Sequence, residues 1–143
     1  MSGSGSPEGK VQLSFTEARQ LADDVFRANG CSETVAAVLA DVLMLCERDG
    51  PASHGFFSMY NYMFGLRGGH VNAKGEPSLG RVRPGVLRVD GDNGYGQVAM
   101  RRFRDDFVGA TREAGIATMA LRNAHNIGPL RHDLEPLAEA GLV

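Results

Sequence analysis

Ser53-His54-Gly55 is the first place in the chain where the residue types favour chemistry. A histidine side chain ordinarily titrates at about pH 6.5, so His54 could deliver or accept a proton at neutral pH, with the Ser53 hydroxyl in support. Pro51 breaks the chain just before it, so His54 falls at the start of a predicted helix. A lone histidine at a helix start is more often a surface or capping residue. The tripeptide by itself therefore leaves both interpretations open.

A second polar segment, residues 122–128, reads RNAHNIG and places a histidine beside an asparagine. His125 is a second candidate acid/base. Asn126 can hydrogen-bond a carbonyl oxygen but cannot transfer a proton. His70 and His132 are interpreted as surface residues. His125 and His132 lie seven positions apart and would need a third ligand that the sequence does not nominate, so no metal site is predicted.

Residues 89–97 read VDGDNGYGQ and are rich in glycine. Their spacing, Gly91-x-x-Gly94-x-Gly96, differs from the G-x-G-x-x-G order of dinucleotide-binding turns. We favour a tight strand-to-helix connection, in which glycines supply positive φ angles and Asp92 or Asn93 caps the helix. Phosphate binding is the alternative.

The first half of the chain is predicted to be helical. Apolar residues at intervals of three and four predict helices over about 15–29 and 32–50, the first with a capping box at Ser14 and Glu17 and the second capped by Ser32. A third, aromatic-rich segment runs over about 54–66. Its aromatic side chains are expected in the core or in an interface, and they are Phe56, Phe57, Tyr60, Tyr62 and Phe64.

The second half alternates strands and helices. Glycines and prolines over 70–85 predict a loop or linker. The predicted elements after it are, in order, a strand over 86–89, a turn over 91–96, a helix over 97–113, a strand over 116–121, a loop over 122–128 and a helix over about 129–140 that Pro136 could kink or restart. Leu142-Val143 is expected to begin a further strand.

Composition narrows the class of protein. With 43% hydrophobic residues, 22% charged residues and a net charge of -2, the 143-residue chain is typical of a globular domain. No basic patch indicates nucleic acid, and no apolar run approaches the ~20 residues that span a bilayer. Residues 1–12 are expected to be a disordered leader. Cys31 and Cys46 alone do not indicate a disulfide framework, although they could pair, and a cytoplasmic location is the default expectation.

Taken together, the segments 53–55, 89–97 and 122–128 resemble the malate/L-lactate dehydrogenase family, most specifically through Asp-Gly-Asp-Asn-Gly-x-Gly-Gln. The resemblance covers about residues 13–143. It implies an α+β fold without the usual dinucleotide fold (non-Rossmann), in which an N-terminal helical unit, 13–69, a linker, 70–85, and the first part of a mixed-sheet α/β domain, 86–143, follow one another.

The same resemblance implies a function. Members of the family are NAD(P)-dependent oxidoreductases that form homodimers and act on small carboxylates such as malate, lactate, sulfolactate, ureidoglycolate, diketogulonate and cyclic imino acids. In them the histidine matching His54 is a catalytic acid/base or a substrate contact. NADH or NADPH is implied here by resemblance alone, and the cofactor-binding residues are unknown because most such contacts would follow Val143.

Two positions depart from the family pattern. Family loops matching 122–128 usually carry histidine where this chain has Asn126, and many relatives have arginine, suited to a substrate carboxylate, where it has Ser58. His125 could replace the missing base. A shift of one residue turns a side chain to the opposite face of an extended segment, although this rule is weaker in an irregular loop.

Two hypotheses of different class follow. The first is a 2-oxo acid or cyclic imino acid reductase, with His54 and His125 as catalytic residues and Ser53, Ser58 and Asn126 binding substrate. Because the chain ends where the family is less than half complete, we expect a companion chain to carry the rest. The second is a diverged scaffold that has lost hydride transfer and now binds, regulates or catalyses other chemistry.

Overall fold

The computed structural model describes residues 11–50, 52–125 and 128–143. Its helices are α1 (Phe15–Ala28), α2 (Glu33–Asp49), α3 (Met59–Arg67), α4 (Gly96–Arg102), α5 (Arg104–Ala114) and α6 (Leu130–Glu139). Its strands are β1 (Ser78–Arg83), β2 (Val86–Tyr95) and β3 (Thr118–His125). Two 3₁₀ turns, Ala52–His54 and Phe56–Ser58, lead into α3. The predicted leader falls mostly in residues 1–10, outside the described residues.

Local capping explains where the first two helices begin. The Ser14 hydroxyl accepts the Glu17 backbone N–H, and the Glu17 carboxylate accepts the Ser14 backbone N–H at 2.8 Å, which confirms the predicted capping box. Ser32 caps α2 by accepting the Val35 N–H at 3.3 Å. Gly50, with φ of 92°, ends α2 in the left-handed conformation that glycine adopts without a steric penalty.

The core lies between the first helices and the sheet. Phe26 of α1 and Leu39 and Leu43 of α2 are completely buried, and the same cluster reaches Tyr95 of β2 and Val98 of α4. Among the aromatic residues predicted for the core or an interface, Tyr62 is buried and Phe56 is partly buried. Phe57, Tyr60 and Phe64 are exposed in this chain, so they lie outside its core, and their place in an interface stays a prediction.

Residues 70–85 are not only a loop, because β1 lies within them. β1 pairs antiparallel with β2, and Arg83 pairs with Val86 across a two-residue connection. Pro84 and Gly85, which indicated a linker, form this tight connection, and Gly85 supplies a φ of 70°. The prediction of a loop over 70–85 missed β1 because this edge strand is short and the turn residues beside it hide its alternation of apolar and polar residues.

The sheet order is β1-β2-β3, with β2 and β3 parallel. One antiparallel and one parallel pairing confirm the predicted mixed sheet in an α+β fold. β2 extends to Tyr95, through most of the segment predicted as a turn over 91–96, and its register with β3 shifts between Asp90 and Gly94. β3 extends to His125, so residues 122–125 of the predicted loop over 122–128 belong to a strand, and residues 126–127 lie outside the described residues. Parallel pairing to the end of β2 is a tertiary contact that local sequence does not report.

Two helical details also differ from expectation. The predicted helix over 97–113 is divided at Phe103, whose φ of -109° and ψ of 17° are not helical. Helix α6 runs through Pro136 without restarting. Gly141, with φ of 79°, and the bond from Leu142 N to the Leu137 carbonyl then form a Schellman cap, so Leu142-Val143 lies in no strand.

Candidate active site

Ser53 and His54 lie together in the first 3₁₀ turn after α2. Ser53 Oγ is 3.0 Å from Nδ1 of His54, and both side chains are exposed. A hydroxyl can donate to an imidazole nitrogen or accept from it, so this contact orients the ring without deciding which nitrogen carries the hydrogen. His54 is therefore an accessible imidazole with a neighbouring hydroxyl, as an acid/base role requires.

A side chain of α2, Glu47, holds the backbone around His54. Oε1 of Glu47 accepts the Phe56 backbone N–H at 2.7 Å. Gly55 is buried against the same carboxylate, and a Cβ at that position would collide with it. This explains the glycine after His54. Glu47 was missed in the sequence because it follows the apolar stripe of α2 and carries no motif of its own.

Ser58 is buried and its hydroxyl faces the main chain. Its Oγ lies 2.9 Å from the His54 carbonyl oxygen and 2.7 Å from the Gly55 carbonyl oxygen. The single hydroxyl hydrogen is shared between two carbonyl acceptors. These contacts support a role in holding the turn that carries His54. Contact of Ser58 with a substrate stays a prediction.

His125 lies at the end of β3, where the parallel pairing with β2 resumes. It is opposite Tyr95 in the register, and its Nε2 is 2.7 Å from Oδ1 of Asn93. Its side chain is partly exposed. In the described part of the chain no hydrogen bond joins His125 to His54. Asn126 lies outside the described residues, so its contact with substrate stays a prediction.

The other two histidines differ from each other. His70 is exposed, in line with the prediction of a surface residue, and its ring lies 6.3 Å from that of Phe64. The surface interpretation is wrong for His132, whose side chain is only 8% exposed and whose Nδ1 lies 3.4 Å from a carboxylate oxygen of Asp133. His132 lies on the face of α6 that packs against the rest of the chain. The sequence does not show which elements cover that face, so it did not predict the burial.

The glycine-rich segment is shaped by contacts within the chain. A Cβ on Gly91 would come within 2.7 Å of the Asn123 carbonyl oxygen and the Ala124 side chain. A Cβ on Gly94 would lie 3.3 Å from Cα of Gly75. Both glycines thus allow backbone segments to approach closely. This close packing supports the structural interpretation of these glycines, and phosphate binding stays the alternative prediction.

Asp92 and Asn93 do not cap α4, contrary to the prediction. The N-cap of α4 is Tyr95, which makes no side-chain capping bond. Asp92 and Asn93 instead adopt left-handed conformations with φ of 54° and 55°. Asparagine and aspartate tolerate this region better than most residues do. The two residues therefore form a corner within β2 where the register shifts.

The corner is tied to the loop before β1. Asp92 Oδ2 accepts the Glu76 backbone N–H and the Asn72 side-chain amide, each at 3.0 Å. The Asn72 backbone N–H donates to the Asn93 carbonyl at 2.8 Å. Asn72 and Glu76 are thereby joined to Asp92 and Asn93 in one hydrogen-bonded network. Sequence reasoning missed Asn72 because its partners lie about 20 positions away.

Asp90 fastens the other side of the corner. One carboxylate oxygen accepts the Asp92 backbone N–H at 3.0 Å and the Asn123 amide at 3.1 Å, and the other pairs with Arg122 at 2.7 Å. The hydrogen bond from the Asp92 backbone, then that from Asn123, and the charge of Arg122 lower the pKa of Asp90. Ionised Asp90 therefore stabilises the junction of β2 and β3.

A buried polar group joins this region to α3. Tyr95 donates its hydroxyl to the Tyr62 carbonyl at 3.1 Å, and Nε2 of Gln97 donates to the Tyr62 hydroxyl at 3.0 Å. Burial raises the pKa of Tyr95 far above its ordinary value. Oε1 of Gln97 is buried and has no hydrogen-bond partner among the described residues. These bonds connect the helical unit to the glycine-rich segment.

The described residues also bear on the possibility of a disulfide, a metal site and a membrane-spanning helix. Cys31 and Cys46 are buried free thiols, so the open possibility that they pair is not realised. Within residues 11–50, 52–125 and 128–143, no group of three or more His, Cys, Asp or Glu side chains is arranged to hold a metal ion. No helix in those ranges has the length and apolar character needed to cross a membrane.

Comparison with known proteins places this arrangement in a family. The malate/L-lactate dehydrogenase family model matches residues 13–143. The chain is 41% identical over 133 residues to a Δ1-pyrroline-2-carboxylate/Δ1-piperideine-2-carboxylate reductase of Pseudomonas putida, covering 93% of this chain and 39% of the relative. A reductase of the same name from Pseudomonas syringae pv. tomato is 36% identical over 143 residues, covering 100% and 42%.

The folds agree as well. The crystal structure of Δ1-piperideine-2-carboxylate reductase from Pseudomonas syringae pv. tomato superposes with a TM-score of 0.88 at 35% identity, covering 92% of this chain and 40% of that one. The chain therefore spans about two-fifths of the length of these relatives. On this match of sequence and fold, the chain belongs to the malate/L-lactate dehydrogenase family and corresponds to its N-terminal portion.

Proposed function

We propose that this chain supplies the proton-transfer part of an NAD(P)H-dependent reductase of cyclic imino acids or 2-oxo acids. The observation that carries the proposal is an accessible imidazole at His54, held on a turn that Glu47 and Ser58 fix from beneath. The relatives named as cyclic imino acid reductases support the choice of substrate class.

His54 and His125 have different roles in the proposed reaction. Reduction of a C=N or C=O bond adds a hydride to carbon and a proton to nitrogen or oxygen. Histidine is the side chain best suited to hold and release a proton near neutral pH. We assign the acid/base role to His54, supported by Ser53, and the orientation of the substrate's nitrogen or oxygen to His125 together with Asn126.

The cofactor is assigned to the part of the family fold that this chain does not span. A reduced nicotinamide would supply the hydride. The packing of Gly91 and Gly94 against Asn123, Ala124 and Gly75 favours this assignment over phosphate binding at the glycine-rich segment. We therefore propose that activity needs the remaining three-fifths of the family fold, on a companion chain or as further sequence, and that the complete enzyme forms homodimers.

The decisive experiment is an assay of the complete assembly. NADH or NADPH consumption would be followed by the loss of absorbance of the reduced nicotinamide, with Δ1-piperideine-2-carboxylate, Δ1-pyrroline-2-carboxylate or pyruvate as substrate. We expect turnover with at least one of these. The absence of turnover with all of them, in an assembly that binds NADPH, would overturn the proposal.

A second candidate is a family-derived scaffold without hydride transfer. The observation in its favour is Ser58, which turns its hydroxyl onto the main chain at the position where many relatives carry an arginine. The Asn126→His variant distinguishes the two candidates. Appearance of reductase activity only in that variant would show that the wild-type pocket has lost its acid/base group and would favour the scaffold.

A further inference from the structure

The Asn93 side chain has a defined amide orientation. Its Nδ2 donates to the His70 backbone carbonyl at 3.1 Å. A carbonyl oxygen can only accept, so the nitrogen end of the amide must face His70. The oxygen end then faces the imidazole of His125, with Oδ1 2.7 Å from Nε2.

The orientation of the Asn93 amide determines which ring nitrogen of His125 carries the hydrogen. Oδ1 of Asn93 carries no hydrogen and can only accept, so Nε2 of His125 must be the donor. We propose that Asn93 is a positioning residue that holds neutral His125 as the tautomer with hydrogen on Nε2, leaving Nδ1 to exchange a proton or a hydrogen bond with the substrate. Among the described residues none hydrogen-bonds Nδ1.

The backbone makes Asn93 a rigid partner. Its φ of 55° places it in the left-handed region, and its carbonyl accepts the Asn72 N–H at 2.8 Å. Two residues later, Tyr95 pairs with His125 across the parallel strands. The distance between the amide and the imidazole is thus set by the sheet rather than by a mobile loop. His54 differs, since the Ser53 hydroxyl beside it can donate or accept.

The proton balance follows from this tautomer. Reduction would add a hydride, supplied by a reduced nicotinamide, to the C=N or C=O carbon, and the π pair of that bond would take a proton at nitrogen or oxygen. In the proposed function that proton comes from His54, and neutral His125 accepts a hydrogen bond at Nδ1 from the N–H or O–H so formed while it still donates Nε2–H to Asn93. The Asn93 contact is the same before and after transfer, so no side chain needs to reorient. This use of Nδ1 rests on the proposed function, whereas the tautomer does not.

Long-range ¹H–¹⁵N NMR correlation of histidine rings tests the tautomer directly, because the two nitrogen shifts report the hydrogen's position. The spectra would be recorded on this chain above the histidine pKa, and His125 would be assigned by the signal lost in His125→Gln. We expect a single tautomer with hydrogen on Nε2. In Asn93→Gly, which keeps the left-handed backbone and removes the amide, the shifts should move to the mixture of tautomers found for a free imidazole.

Asn123→Gly is the matched control. Asn123 has a similar φ of 52°, but its amide donates to Asp90, whereas the side-chain partner of His125 is Asn93. The Nε2–H tautomer should persist in this variant. If the wild-type protein shows a mixture, or hydrogen on Nδ1, the proposal is wrong whether or not the variants fold. An unchanged tautomer in folded Asn93→Gly would overturn it equally.

Kinetics on the complete assembly separate this inference from the proposed function. If Asn93 positions a working His125, Asn93→Gly should lower kcat by about 10-fold with a smaller change in KM, and Asn93→Asp, which keeps an acceptor, should recover most of the loss. A fixed tautomer with unchanged kcat in His125→Gln would retain the structural assignment and remove His125 from the reaction.

Discussion

At the residue scale, the site depends on how single polar groups are partnered. His54 and His125 are both accessible, and each has one side-chain hydrogen-bond partner that orients its ring. The groups that fix these turns, Glu47 and Asn93, make no predicted contact with substrate. Their importance lies in short hydrogen bonds to backbone or ring nitrogens.

The first prediction concerns His54. In the complete assembly His54→Ala should lower kcat by about 10²-fold or more, because general acid/base catalysis typically contributes 10² to 10⁴-fold. NADPH binding, measured by fluorescence titration, should change little. His70→Ala is the control, since His70 is exposed and its bond to Asn93 uses the backbone carbonyl. An unaffected kcat in His54→Ala would assign the proton transfer elsewhere.

The second prediction concerns Cys31. Burial raises the pKa of its thiol to about 11, so at pH 8 the reactive thiolate should be about 100-fold rarer than for an ordinary cysteine. Burial, then the charges of Asp49 and Glu47, also raise the pKa of Cys46. We expect both thiols to react slowly with a disulfide reagent in the folded protein and rapidly in denaturant. Fast labelling of Cys31 in native buffer would contradict this burial.

At the scale of elements, the junction of β2 and β3 positions His125. The register shift after Asp90 brings the left-handed corner toward the end of β3, and Gly91 allows the two backbones to approach. The carboxylate of Asp90 then joins the corner to Asn123 and Arg122. The contributions of Gly91 and of the Asp90 carboxylate to the stability of this junction can be tested separately.

The third prediction compares two glycines. Gly91→Ala should lower the free energy of unfolding by about 1–3 kcal/mol, because its Cβ would lie 2.7 Å from the Asn123 carbonyl oxygen. Gly109→Ala in exposed α5 meets nothing within 4 Å and should raise it by about 0.4–1 kcal/mol. Urea denaturation measures both. Equal effects of the two substitutions would mean that β2 and β3 do not pack as described.

The fourth prediction concerns the charge on Asp90. Its pKa is lowered in the folded protein, so its contribution to stability is present above the unfolded value of about 3.9 and is lost as pH falls through the lower folded value. Wild-type protein should be more stable than Asp90→Asn at neutral pH, and the difference should shrink below about pH 4. A difference that grows on acidification would have the wrong sign for this mechanism.

At the scale of the whole molecule, the described residues form helices packed beside a three-stranded sheet, and this arrangement matches about two-fifths of a related crystal structure. Several large apolar side chains remain exposed on it. Phe57, Tyr60 and Phe64 are 80%, 76% and 65% exposed, and Leu130 and Leu134 of α6 are 68% and 58% exposed. Such side chains, when clustered, favour association.

The fifth prediction follows from this exposure. The chain by itself should associate in a concentration-dependent way, as measured by sedimentation velocity. Replacing Phe57, Tyr60 and Phe64 by serine should weaken that association, whereas serine at exposed Ile116, which lies apart from them in sequence, serves as the control. A monomer across the accessible concentrations would show that the aromatic side chains do not drive association.

The sequence by itself determined the features that depend on near neighbours. Ser14 and Ser32 predicted the starts of α1 and α2 because capping bonds span three residues. Residues 53–55, 89–97 and 122–128 indicated the family, which the comparisons confirm. They also nominated His54 and His125, whose roles stay predictions.

Only the tertiary structure decided which distant groups meet. The strand β1, the length of β2 and the bond between Asn93 and His125 depend on pairings over tens of residues, and glycine, proline and left-handed residues obscure those pairings locally. Ser58, which the sequence nominated as a substrate contact, is buried with its hydroxyl on the main chain of its own turn, and this turn packs on α2. A hydrogen-bond partner 32 positions away leaves no local periodicity, so no reading of neighbouring residues could have assigned Asn93 to His125.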